Sequence, residues 1–150
     1  MGTHLGVTVL LDKFFVCAAA ADLDGYLECF TPDAIFVGTD PLEEWGLKAF
    51  TLLCRKAFKM KANGSPGGWS YKPMGTRDFV VLNEDIVWFY EPLHNAKYGH
   101  CRGTGLAVVH KGKWKIKRYV LSPALTNTAL DALTTLSKEF ERERISIIAA

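Results

Sequence analysis

The chain reads as an α+β domain in which helices come first and then cover one face of an antiparallel sheet. Three observations predict this. Ile86–Ser122 contains three β-rich runs joined by two short Gly-containing turns, at Ala96–Gly99 and at Lys111-Gly112, which is a meander of long antiparallel strands. Upstream of it, apolar residues recur every three or four positions in two segments, the spacing of helices with one covered face. Within the last strand Lys113, Lys115 and Lys117 alternate with Trp114 and Ile116, so one strand face meets water and the other meets the helices.

Length and composition fit one domain over residues 1–150. With 150 residues, 49% of them hydrophobic, the chain is long enough to bury a core. A formal net charge of +2 is too small to require nucleic acid, and the alternating lysines read as a solvated face, so no nucleic-acid partner is expected. No apolar stretch reaches the roughly 18 residues of a membrane span, so no membrane crossing is expected, and Asp12 and Lys13 break the apolar run Val7–Leu11 that a targeting signal would need. No targeting signal is recognised, and the four scattered cysteines read as buried or free thiols of a reducing compartment. The expected location is therefore cytoplasmic.

The elements follow in order. A first helix is predicted over Val7–Ala21, where Leu10, Phe14, Cys17 and Ala21 share a face. A short second helix follows, capped by Asp22 or Asp24 and ended by Thr31-Pro32-Asp33. Ala34–Val37 is a brief strand and Gly38–Pro41 a polar loop. A third helix is predicted from Leu47 to Lys61, and the glycine-rich stretch 63–68 lets the chain cross to the sheet. Trp69–Leu82 is strand-like, with Pro73 and Gly75 marking an edge or a bulge. After the meander, a C-terminal helix is predicted from Asn127 to Arg144.

The lysine alternation, continued with period two, puts Arg118, Val120 and Ser122 on the covered face and leaves Tyr119 and Leu121 outside. A charge on the covered face needs a partner. Glu91 is the candidate, because Val87, Phe89, Glu91 and Leu93 share one strand face. Gly103 and Gly105 strip bulk from the next strand, which admits either a ligand or a closely packed helix. His94, His100 and Cys101 flank one turn but lack further ligands, so no metal is expected, and no cofactor motif is present.

Several blocks together resemble a known family. They are Phe30–Pro41, Val87–Glu91, Asn95–Gly99, Arg102–Gly105 and Gly112–Ser122. They are similar to a SnoaL-like domain of the nuclear transport factor 2-like superfamily, over about residues 8–123, with 124–150 as a helical extension. The resemblance implies a strongly curved, mainly antiparallel sheet wrapped around the N-terminal helices, the cystatin-like cone, enclosing a pocket. It implies a small apolar carbonyl compound as ligand, bound or turned over as in isomerases, cyclases and dehydratases of the superfamily. The alternative is a homodimerising adaptor without chemistry. Catalytic members use a pocket carboxylate as base, for which Glu91 or Asp40 is the candidate here. Trp45, Arg118, Asn95 and Arg102 are the candidate ligand contacts. Five of the six have a structural reading beside them: Asp40 and Asn95 as turn residues, Trp45 as a hydrophobic plug, Glu91 and Arg118 as an ion pair. A homodimer is expected through the outer sheet face, carried by Tyr119 and Leu121.

Overall fold

The computed structural model describes residues 2–61 and 63–149. Four helices and seven strands follow one another in the order α1 (Thr3–Ala20), α2 (Leu23–Glu28), β1 (Phe30–Val37), β2 (Glu44–Gly46), α3 (Leu47–Ala57), β3 (Lys72–Pro73), β4 (Asp78–Asn83), β5 (Ile86–Asn95), β6 (Gly99–His110), β7 (Lys113–Pro123) and α4 (Asn127–Ala149). All seven strands join one curved sheet in the order β2-β1-β7-β6-β5-β3, with β4 also on β5. Only the β1–β7 pairing is parallel.

Local chemistry explains where the elements start and stop. The left-handed Ala21 closes α1, and the Asp22 carboxylate accepts from the Gly25 N–H to open α2. The third helix stops at Ala57 instead of running to Lys61, because the Gly68 N–H satisfies the Ala57 carbonyl at 2.7 Å. The strand expected over Trp69–Leu82 is broken into β3 and β4 around Gly75, whose φ of +85° suits glycine.

Helix α1 corrects one expectation. By length and composition alone it is apolar enough to cross a membrane. Instead it buries Val7, Leu10, Leu11, Phe14, Phe15, Cys17 and Ala18 in the protein interior, as a core helix does. The inner sheet face opposite consists of Val87, Phe89, Glu91 and Leu93 on β5, Cys101, Gly103, Gly105 and Ala107 on β6, and Ile116, Tyr119 and Leu121 on β7. All four cysteines are buried and unpaired.

The second half of β7 faces opposite to the period-two expectation. Leu106 pairs with Arg118 but the next residue, Ala107, pairs with Ile116, so Lys117 is an extra residue in a β-bulge. The neighbouring strand is irregular at the same level, between Phe30 and Ile35, where Pro32 has no N–H to give to a ladder. Lys117 donates to the Asp33 carboxylate at 2.6 Å, and Arg118 donates to the Asp33 and Lys117 carbonyls. The bulge flips the parity of everything after it. Tyr119 and Leu121 therefore point inward, Val120 and Ser122 point outward, and Arg118 lies outside, away from Glu91. The residues expected to carry a sheet-face dimer belong to the core. The outer face is made of Trp88, Tyr90, Leu106 and Val120 instead.

Candidate functional site

Two places gather polar groups around the covered side of the sheet. The first is a buried centre built on Glu91. Its side chain is wholly buried, and its carboxylate accepts from Arg77 Nε at 2.8 Å and from the Tyr119 hydroxyl at 2.9 Å. Arg77 reaches in from the segment before β4 and also binds Asp12 of α1 at 2.7 Å, so the guanidinium ties the helix layer to the sheet. The expected Glu91–Arg118 pair is thus a Glu91–Arg77 pair. Burial raises the Glu91 carboxyl above its ordinary range, against the opposing pull of Arg77 and Tyr119. Burial, reinforced by the Glu91 charge, pushes the Tyr119 phenol well up, so it stays a hydrogen-bond donor.

Two glycines of β6, Gly103 and Gly105, allow the close approach at this centre. Gly103 lies opposite Glu91, and a Cβ there would collide with the Tyr119 hydroxyl. Gly105 lies opposite Phe89 and Tyr119, and a Cβ there would strike the Arg118 carbonyl. The space at Gly103 is filled by the Tyr119 hydroxyl and that at Gly105 by the Arg118 carbonyl and the Phe89 ring, while the Tyr119 ring lies 5.1 Å from Phe14, 5.7 Å from Phe36 and 5.7 Å from Phe89. Glu91 is wholly buried, and its carboxylate acts as an anchor for two buried donors.

The second place is a cleft of about 560 Å³ at the end of the sheet where β1, α3 and the β5–β6 turn meet. Phe36 and Phe50 stack at 4.4 Å and form apolar wall, with Trp45, Trp69 and Leu121 around them. Tyr71, Glu43, Asn95 and Lys97 supply polar groups. Tyr71 is largely buried, and its hydroxyl makes no hydrogen bond among the described residues. Burial pushes its phenol up to about 12, so it remains a neutral donor. Glu43 is the carboxylate of the lining; one of its oxygens accepts from the Asp40 N–H at 3.3 Å.

The six sequence-derived candidates distribute unevenly over these places. Trp45 and Asn95 border the cleft. Asn95 is also a turn staple: its oxygen accepts from the Lys97 and Tyr98 N–H groups, and its nitrogen donates to the Ser70 carbonyl. Asp40 is exposed and accepts from the Leu42 N–H at 2.8 Å, closing the loop beside the cleft without lining it. Glu91 is in the buried centre. Arg118 and Arg102 are on the outer face, because the bulge turns Arg118 out and Arg102 pairs with Pro92 and Ser122 on the exposed parity. The Glu43, Tyr71 and Trp69 contributions to the cleft come from loops and short strands with no periodic signal. Arg77 had a weak one, in the Asp12 that interrupts the apolar face of α1.

His94 and His100 face each other across the β5–β6 pair with ring centroids 6.1 Å apart, while Cys101 points inward. Among the described residues no three His, Cys, Asp or Glu side chains gather as a metal would require.

Comparison with known proteins agrees with this architecture. A domain of unknown function with a cystatin-like fold from Nostoc punctiforme PCC 73102 superposes with a TM-score of 0.68 at 14% identity, covering 97% of this chain and 94% of that one. A protein from Novosphingobium aromaticivorans DSM 12444, named as a candidate scytalone dehydratase, gives 0.66 at 13% identity, covering 82% and 87%. A type 2 hexachlorocyclohexane dehydrochlorinase gives 0.61 at 9% identity, covering 79% and 82%. At such identities the likeness shows the fold alone. No match is found among curated proteins. The family model of the SnoaL-like domain matches residues 7–126, four-fifths of the chain, and with the curved sheet and its helical cover this places the protein in the SnoaL-like domain family, with the nuclear transport factor 2-like, cystatin-like fold.

Proposed function

We propose that the chain binds a small, largely apolar molecule carrying a carbonyl-type acceptor, in the cleft between Phe36, Trp45, Trp69 and Tyr71. The observation that carries this reading is the Tyr71 hydroxyl, a free donor set in an aromatic wall. Ligand sites of this kind pair a mostly apolar lining with a few placed polar groups, and a cleft of about 560 Å³ suits a small molecule. Trp45 and Trp69 supply contact area at low entropic cost, and Tyr71 fixes orientation. The test is displacement of the reporter anilinonaphthalene sulfonate by aromatic ketones. Ketones should displace it from the wild-type protein, and Tyr71→Phe should weaken them about five- to tenfold, the worth of one hydrogen bond. Ketones that displace nothing, or that bind Tyr71→Phe as tightly as wild type, defeat the reading.

Turnover is the second reading, and Glu43 favours it. It is the carboxylate bordering the cleft that holds Tyr71, so a base and a donor face one volume. Two of the structural neighbours bear the names of a dehydratase and a dehydrochlorinase, which fits such a pairing. Proton exchange into the bound ketone, measured beside displacement for wild type and Glu43→Gln, separates the two readings. Under turnover the variant keeps ketone binding and loses proton exchange at the carbon next to the carbonyl; under binding alone no such exchange occurs in wild type.

A further inference from the structure

Helix α4 is the element the domain does not use. It begins at Asn127, directly after the family match ends at 126, and runs 23 residues to Ala149. Not one of its residues is buried. Its side-chain hydrogen bonds stay within the helix or run to its cap, Thr126. Yet it is amphipathic: Leu133, Leu136, Phe140 and Ile147 stand 44%, 62%, 40% and 77% exposed. A solitary helix with an uncovered apolar stripe gains little stability in water, since helices in proteins draw most of theirs from covering that stripe.

The spacing of the stripe says what covers it. Ala129, Leu133, Leu136, Phe140, Glu143 and Ile147 alternate at steps of four and three, the seam of a two-helix coil. On that seam Glu139 and Arg144 flank the core on opposite sides, five residues apart. In a parallel pair, that offset sets Glu139 of one helix against Arg144 of the other, twice by symmetry. An antiparallel pair at full overlap brings Glu139 against Glu139 of the second copy and leaves the complementarity unused. Glu143 is the single charged member of the seam, close to its C-terminal end, where water reaches it.

From this charge pattern we infer that α4 pairs in parallel and in register with α4 of a second copy of this chain, making the protein a dimer through a helix outside the family domain. The test uses the full chain with Leu136→Cys under mild oxidation. The native cysteines are buried, so the new thiol is the reactive one. Parallel in-register pairing predicts a disulfide between the two copies of position 136 in most of the protein. Glu139→Arg or Arg144→Glu, added singly, should cut the cross-linked fraction about threefold or more, and the two together should restore it. Glu143→Leu should raise it. Because α4 buries no residue in its own domain, these variants leave the fold intact, and an unchanged far-ultraviolet spectrum verifies this. Absence of the cross-link overturns the inference, including in a protein that elutes as a dimer through its sheet face. So does a yield that ignores both charge reversals.

Discussion

Glu91 carries the most informative chemistry at the scale of single residues. A buried carboxylate with two donors on it is costly to break and cheap to replace whole. Glu91→Leu strands Arg77 Nε and the Tyr119 hydroxyl in the core and should cost about 3–5 kcal/mol. The combined Arg77→Met, Glu91→Leu, Tyr119→Phe variant removes every stranded group and should return to within about 1 kcal/mol of wild type, read as urea midpoints at unchanged slope. The pH dependence has a definite sign. The folded Glu91 carboxyl sits above its ordinary value, chiefly through burial, so the native state holds that proton more tightly than the unfolded chain. Its contribution is therefore full below the ordinary glutamate range and is lost as pH rises through the folded pKa. The triple variant should lack that decline, so wild type gains on it as the solution is acidified. Asp33, held down to about 2 chiefly by the hydrogen bond from Lys117, works the other way: its contribution is present above the ordinary aspartate range and is lost as pH falls. It is common to both proteins and cancels in the difference. A wild-type-minus-variant curve flat from acid to neutral pH would refute the assignment.

Strands β6 and β7 show at the scale of elements what a period can and cannot reveal. The inward face of β5 was legible, because Val87, Phe89, Glu91 and Leu93 obey an unbroken alternation over a regular ladder. The first half of β7 was legible for the same reason. Its second half was not, since one extra residue at Lys117 reverses every later side chain, and a bulge leaves no signature in a window of lysines and branched residues. Ile116 and Tyr119, three apart and both buried, are its trace. Arg118 was lost from the site by this single residue, and Tyr119 was gained. Gly103 lacks bulk on the inner face of β6, and the occupant of that space is the Tyr119 hydroxyl. Gly103→Ala should thus cost about 1–3 kcal/mol by overpacking against the Tyr119 hydroxyl. In a Tyr119→Phe background the same substitution should cost at least about 1 kcal/mol less, because the nearest colliding atom is gone and only the ring carbon at 2.8 Å still presses. Equal costs in both backgrounds would show that the strand, and not the phenol, resists the extra methyl.

The whole molecule divides into a domain and an appendage, and the division follows from what each part buries. Helices α1 to α3 and the sheet share one core of rings: Tyr26 lies 4.7 Å from Phe14 and 5.1 Å from Phe58, and the Phe36–Phe50 stack links that cluster to the cleft. Rings of this kind bury roughly 150–250 Å² each and dominate a core of this size. Nothing from α4 enters it. The last residue with a backbone tie to the sheet is Ala124, whose N–H donates to the His100 carbonyl at 2.8 Å. A chain ending at Leu125 keeps that bond and every buried residue, so it should melt within about 2 °C of the full chain at low concentration, since only a change of several tenths of a kcal/mol would move the midpoint further. It should also keep its ketone affinity, because the cleft borrows nothing from beyond Leu121. At high concentration the two should part: the full chain gains stability by mass action when its helices pair, and the shortened one gains nothing by that route. A shortened chain that melts many degrees lower at every concentration would mean that α4 folds back onto its own domain.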